Sequence, residues 1–174
     1  MFRGINVGGH KIIKMQDLRA SFEALGFRRV RTYVQSGNVI FESEKVSSKS
    51  LSKGIEEKIL SKFGFSVKLV LRTSSEMRQV VDDNSFLNEK GIDDSKLHVT
   101  FLAASPAKPA LRRLEGFNAL PDRFLIKGRE VYLYCPSGYG RTKLSNDTFE
   151  KLLSVEATTR NWRTVNALAK NSSE

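Results

Sequence analysis

One pattern runs twice through the chain, an alternating strand, an amphipathic helix, a hairpin and a second helix, and it limits the fold to the α+β class. In the first copy Met15, Leu18, Phe22 and Leu25 recur at spacings of three and four and stop at Gly26, the residue type that ends helices. RVRTYVQ and VIFE then flank Ser36-Gly37-Asn38, where glycine followed by asparagine predicts a two-residue hairpin turn. Leu51, Ile55, Ile59 and Phe63 mark a second helix, capped by Ser47 or Ser48 and closed by Gly64, before the strand-like VKLVLR. A short strand over residues 2–5 completes the order βαββαβ.

The second copy opens with KLHVTFLA, which alternates as a strand. Residues 106–117 fit a helix begun by Pro106, and RFLIK and EVYLY form a hairpin around Gly128-Arg129. Asn146 is expected to cap a helix bearing Phe149, Leu152 and Leu153, and a last helix from Asn161 places Trp162, Val165 and Leu168 on one face. Between the copies, one short helix around Met77 to Val81 precedes a polar, acidic stretch. The expected architecture is a tandem duplication of ferredoxin-like units with antiparallel sheets and helices on one face, over residues 1–73 and 96–174, with an acidic helical connector at 74–95.

Side chains of a strand alternate, so Leu97, Val99 and Phe101 share one face while His98, Thr100 and Leu102 share the other, which puts His98 off the helix-packed core. The opposite sheet faces also carry Tyr33, Ile40, Leu125, Tyr132 and Tyr134, too apolar for open solvent; they predict packing between halves or between subunits.

Charge is the one compositional extreme. The net +10 is uneven: residues 1–72 hold 14 basic and 6 acidic side chains, residues 73–95 hold 2 and 6, and residues 96–174 hold 13 and 7. Two basic halves flank an acidic stretch, a balance that suits anionic partners such as nucleic acid, phosphorylated metabolites or anionic lipid surfaces. No stretch approaches the roughly 18 apolar residues of a membrane span, and no apolar leader follows Met1, so a cytoplasmic protein is expected. A single cysteine, Cys135, and two distant histidines, His10 and His98, give no metal-ligand spacing; neither metal nor cofactor is expected.

Polar clusters stand apart from the packing pattern. They are Arg3-Gly4-Ile5-Asn6-Val7-Gly8-Gly9, Thr32-Tyr33-Val34-Gln35-Ser36-Gly37-Asn38, Gly138-Tyr139-Gly140-Arg141-Thr142-Lys143 and Ala157-Thr158-Thr159-Arg160-Asn161-Trp162-Arg163-Thr164-Val165. In this order, and as far as about Leu168, they resemble the bacterial family known as domain of unknown function 1697. The resemblance implies two tandem ferredoxin-like units and no established activity. Members usually carry several apolar residues before RGINVGG, whereas only Met1 and Phe2 precede Arg3 here, so the first strand is expected to be unusually short.

Loop glycines permit positive dihedrals and bring backbone N–H groups close to an anion; their alternative role is simply to make sharp turns. Gly4 to Gly9 has the spacing of a phosphate loop, but His10 stands where lysine is required and Lys11, followed by Ile12, where a hydroxyl would hold magnesium, which excludes a Walker-type site. At the last helix N-terminus, Arg160 and Arg163 suit an anion, while Asn161 also suits ordinary capping. The expected ligand-binding set is Arg3, Asn6, Gly8, Gly9, Ser36, Asn38, Arg141, Lys143, Arg160, Asn161 and Arg163, converging on one region for a small phosphorylated or carboxylated ligand.

His10 is the weak candidate for acid–base work, and Cys135 reads as an inert strand-end thiol. Lys127 to Tyr134 begins like an RNA-recognition strand, but Arg129 and Val131 occupy the positions of the stacking aromatics. Nucleic acid is therefore expected only as a weak, salt-sensitive partner, with an oligomeric scaffold as a third alternative. A membrane is not expected as a partner, and the protein is expected as a monomer or homodimer.

Overall fold

In the computed structural model, which describes residues 1–44 and 47–172, the chain forms two compact units, Met1–Leu71 and Arg72–Glu174. All strand pairings are antiparallel and helices pack on the sheets, so the fold is α+β.

The first unit contains β1 (Phe2–Arg3), α1 (Met15–Glu23), β2 (Arg28–Tyr33), β3 (Asn38–Glu42), α2 (Ser48–Phe63) and β4 (Lys68–Leu69). β1 pairs with β4 and β2 with β3, and Phe2 N–H donates to Gly37 O at 2.9 Å. β1 is as short as the sequence suggested, and Gly4 (φ 66°) and Asn6 (φ 55°) turn the chain out of the extended region just beyond it. Helices α1 and α2 bury Leu18, Phe22, Ile55 and Ile59 against Phe2, Ile5, Val30 and Leu69. Phe22 sits edge-on to Phe2 and Phe41, a packing that fixes α1 across the strands. Ser47 caps α2 by accepting from Ser50 N–H, and Gly64 (φ 78°) ends it.

The hairpin between β2 and β3 differs from the expected two-residue turn. Tyr33 pairs with Asn38, leaving residues 34–37 as a four-residue loop with Val34 (φ 51°) and Gly37 (φ 75°) left-handed. Gly37 is required there: a Cβ would meet Ile5 Cδ1 at 2.5 Å.

The second unit contains α3 (Ser74–Asp82), β5 (Leu97–Leu102), α4 (Lys108–Arg112), β6 (Arg123–Lys127), β7 (Glu130–Tyr134), α5 (Asn146–Leu153), β8 (Ala157–Asn161) and α6 (Trp162–Asn171). Its sheet has the order β6-β7-β5-β8. Residues 74–82, part of the stretch read as a connector, form α3 within this unit, opened by a Thr73/Glu76 capping box. The helix expected over 106–117 is confined to α4; Arg113, Leu114 and Glu115 continue it only as tighter turns, each N–H bonding the carbonyl three residues back, until Gly116 (φ 79°) turns the chain.

Two expectations about sheet faces change. Leu102, Val131, Leu133 and Ala157 pack with Ala110, Leu114, Phe149 and Leu153 of the α4–α5 layer, so the face that carries His98 is the one these helices cover. The other face, with Leu97, Val99, Phe101 and Tyr132, is also covered within the unit: Tyr132 Oη donates to Val80 O of α3, and α6 packs on α3, β5 and β8. Helices thus lie on both faces here, not on one. An amphipathic stripe says that a helix is covered, not which sheet face it meets.

Candidate functional site

In the second unit the polar clusters gather around β8. The segment TTRN, expected only as a polar cluster before the last helix, is an edge strand in which Thr159 pairs with Thr100 and Asn161 with His98. Arg160 is 7% exposed, its Nη1 donating to Thr158 Oγ1 and to Thr159 O, both at 2.8 Å. Burial drives its pKa down to about 10 although the neighbouring Tyr139 opposes the shift, so desolvation outweighs every group that favours the charge. Arg160 is a cation withheld from water, not the solvated or exposed side chain that a loop position would make it.

Thr159 is the hub beside it. Its hydroxyl accepts from Tyr139 Oη at 3.0 Å, donates to Asn146 Oδ1 at 2.7 Å, and lies 2.7 Å from Thr100 Oγ1. This network pins the single turn Tyr139–Arg141 to the sheet, with Gly138 (φ 90°) at its entrance. Arg141 and Lys143, on the pinned loop, are exposed. Asn146 therefore bonds Thr159 and does not cap α5; Ser145 does, accepting from Thr148 N–H. Asn161 caps α6 by accepting from Thr164 N–H at 2.9 Å, and Arg163 lies exposed in that helix's first turn.

His98 stacks on Tyr139 with centroids 4.9 Å apart, and its Nδ1 lies 3.2 Å from Lys96 O. Burial lowers its pKa, partly opposed by that carbonyl, so the charged form of the ring is disfavoured. Sequence reading missed His98, Thr100, Tyr139 and Asn146 as a set. Alternation does place His98, Thr100 and Thr159 on one side of their strands, but the Tyr139 and Asn146 contacts join residues distant in the chain.

In the first unit, Asn6 organises the RGINVGG loop. Its Nδ2 donates to Gln35 O at 2.8 Å and Ile13 O at 3.0 Å, and its Oδ1 accepts from Ile13 N–H at 2.8 Å. The loop is thereby brought beside the Ser36–Asn38 loop. Gly8 (φ 59°) and Gly9 (φ 77°) form the tight turn between Val7 and His10, closed by His10 N–H to Val7 O at 3.1 Å. His10 is exposed at this turn. Asn38 is fully buried, its Nδ2 donating to Tyr33 O and Ser36 Oγ. Arg3, in register with Lys68 between β1 and β4, is half-buried.

Cys135 is fully buried, and burial raises its pKa to about 11. Among the described residues no group of three or more His, Cys, Asp or Glu is placed to hold a metal ion, and no helix is long and apolar enough to cross a membrane.

A family model described as protein of unknown function (DUF1697) matches residues 1–132. A solved structure of a conserved bacterial protein from Streptococcus pneumoniae is similar over 99% of this chain and 96% of that one, with a TM-score of 0.69 and 19% sequence identity, a likeness of fold. No curated protein matches the chain.

Proposed function

Because the chain belongs to the DUF1697 family, whose function is unknown, we propose that it binds a small phosphorylated or carboxylated ligand, with Arg160 as the anchor in the second unit. The buried guanidinium of Arg160 carries the reading. A charge whose pKa is depressed by burial is costly to keep, and an anion would offset that cost beside the hydroxyl of Thr158, which already accepts from Arg160 Nη1. Arg141 and Lys143 on the pinned loop add positive potential, and Asn161 with Arg163 offers the α6 terminus. Within the first unit, the paired loops around Arg3, Asn6, Gly8, Gly9, Ser36 and Asn38 are proposed as an anion-binding surface in their own right.

The finer fold reading belongs with it. The second unit's strand order and the β1–β4 and β2–β3 pairings of the first support two ferredoxin-like units in tandem. A cytoplasmic location is part of the same reading.

Calorimetric titration of sulfate and inorganic phosphate into the wild-type chain and Arg160→Met tests the function. Heat of binding in the wild type, abolished in the variant and weakened in Arg141→Ala/Lys143→Ala, is expected. Equal binding by Arg160→Met would remove the anchor and the proposal with it.

A further inference from the structure

The two loops joined through Asn6 and Gln35 also expose aliphatic side chains that the anion site does not use. Val7 is 62% exposed, Ile12 59% and Val34 49%, and these three come from the two adjacent loops of the first unit. Isolated exposed aliphatics are common, but here the backbone itself is arranged to present them. Val7 opens the Gly8–Gly9 turn, and Ile12 follows it. Val34 has φ 51°, a left-handed conformation that a β-branched residue adopts only under strain and that asparagine or glycine would take more easily.

The ionised side chains within residues 1–16 are Arg3, Lys11 and Lys14, all basic, and the first acidic residue is Asp17. Lys14 is exposed, and Lys11 Nζ donates to Ser66 O. A second copy of the tip would bring like charges together, whereas an anionic surface with an apolar interior would meet both features at once.

We infer that Val7, Ile12 and Val34, flanked by Lys11 and Lys14, form a docking tip for an anionic lipid surface. The protein would lie on that surface rather than span it; the expectation of no membrane partner rested on the lack of a spanning segment, which this mode does not need. The aliphatic side chains enter the interfacial region, the lysines remain at the phosphate level, and the inference stands independently of anion binding at Arg160.

Co-sedimentation of the full chain with phosphatidylcholine vesicles, with and without phosphatidylserine, tests it. Binding is expected to the serine-containing vesicles and to fall roughly tenfold for each of Val7→Ser and Ile12→Ser, and about fivefold for Lys14→Ala, with sulfate titration unchanged in all three. Val34→Asn separates docking from folding: it should bind vesicles more weakly while melting at a higher temperature, because the strain is relieved. Absence of binding to anionic vesicles would overturn the inference. So would binding that depends on Lys14 but not on Val7 and Ile12, since that is diffuse electrostatics, or binding equally strong on vesicles without phosphatidylserine.

Discussion

Arg72 and Glu130 form an ion pair almost out of contact with water: Nε donates to Oε1 at 2.7 Å, with the side chains 1% and 17% exposed. Arg72 Nη2 also donates to Leu102 O and Arg129 O, at the ends of β5 and of the β6–β7 turn. Burial lowers the Arg72 pKa even against Glu130, so removing the carboxylate leaves a desolvated cation. Glu130→Ala should destabilise the second unit by about 3–5 kcal/mol in urea unfolding, and Glu130→Gln by less, since an amide oxygen can still accept. A loss below about 1 kcal/mol for Glu130→Ala would mean that the pair is not stabilising.

His98 makes stability depend on pH. Burial beneath Tyr139 holds its folded pKa below the ordinary 6.5, so the unfolded chain takes up the proton first. Its contribution is fully present above about pH 6.5 and is lost as pH falls through that value towards the lower folded pKa. His98→Phe should flatten the difference in unfolding free energy between pH 7.5 and pH 5.5 relative to wild type. Parallel profiles for the two proteins would show that His98 does not titrate with folding.

Gly37 should tolerate no side chain. Its φ of 75° and the 2.5 Å approach of an added Cβ to Ile5 Cδ1 make alanine strained and clashing at once, beside the Phe2 N–H to Gly37 O bond. Gly37→Ala is expected to cost about 1–3 kcal/mol. Gly140→Ala, whose added Cβ meets open space, should change stability by no more than about 0.5 kcal/mol. Equal melting temperatures for the two variants would contradict this account of the loop.

Cys135 should stay unreactive while the chain is folded. The thiol is fully buried and its pKa is raised to about 11, so thiolate is scarce at neutral pH. Alkylation by iodoacetamide should proceed at the rate of unfolding, and modification within minutes under native conditions would show a reactive thiol instead.

The parts of the fold legible in the sequence are those whose signal is local. Leu18 and Phe22 declare α1 by spacing, and Gly64 stops α2 because its left-handed dihedral is built into the residue type. β8 escaped because Thr158 to Asn161 lack an apolar alternation, and a polar edge strand reads as a loop. At α5, Ser145 and Asn146 are both good caps; only the Thr159 hydroxyl, distant in sequence, decides between them by engaging Asn146. Arg160 was visible as a basic residue near a helix start, but its burial depends on the strand it occupies, which no local pattern announces.

Nucleic acid should bind only weakly. The net +10 charge supplies phosphate contacts whose affinity falls steeply with salt, whatever the sequence of the strand. Tight single-strand recognition on this kind of sheet needs an open face bearing aromatic side chains on which bases stack. In the second unit that platform is occupied: Val131 and Leu133 are buried with Phe149 and Leu153, and Tyr132, on the other face, donates to Val80 O of α3. Aromatic side chains are present, but as packing groups within the unit. Fluorescence anisotropy with a labelled poly-uridine oligomer should therefore show binding at low ionic strength that collapses by physiological salt, and a mixed-sequence DNA strand of equal length should behave alike. Retention of tight binding at physiological salt, or a clear preference between the two strands, would require a base-reading surface and would defeat the prediction.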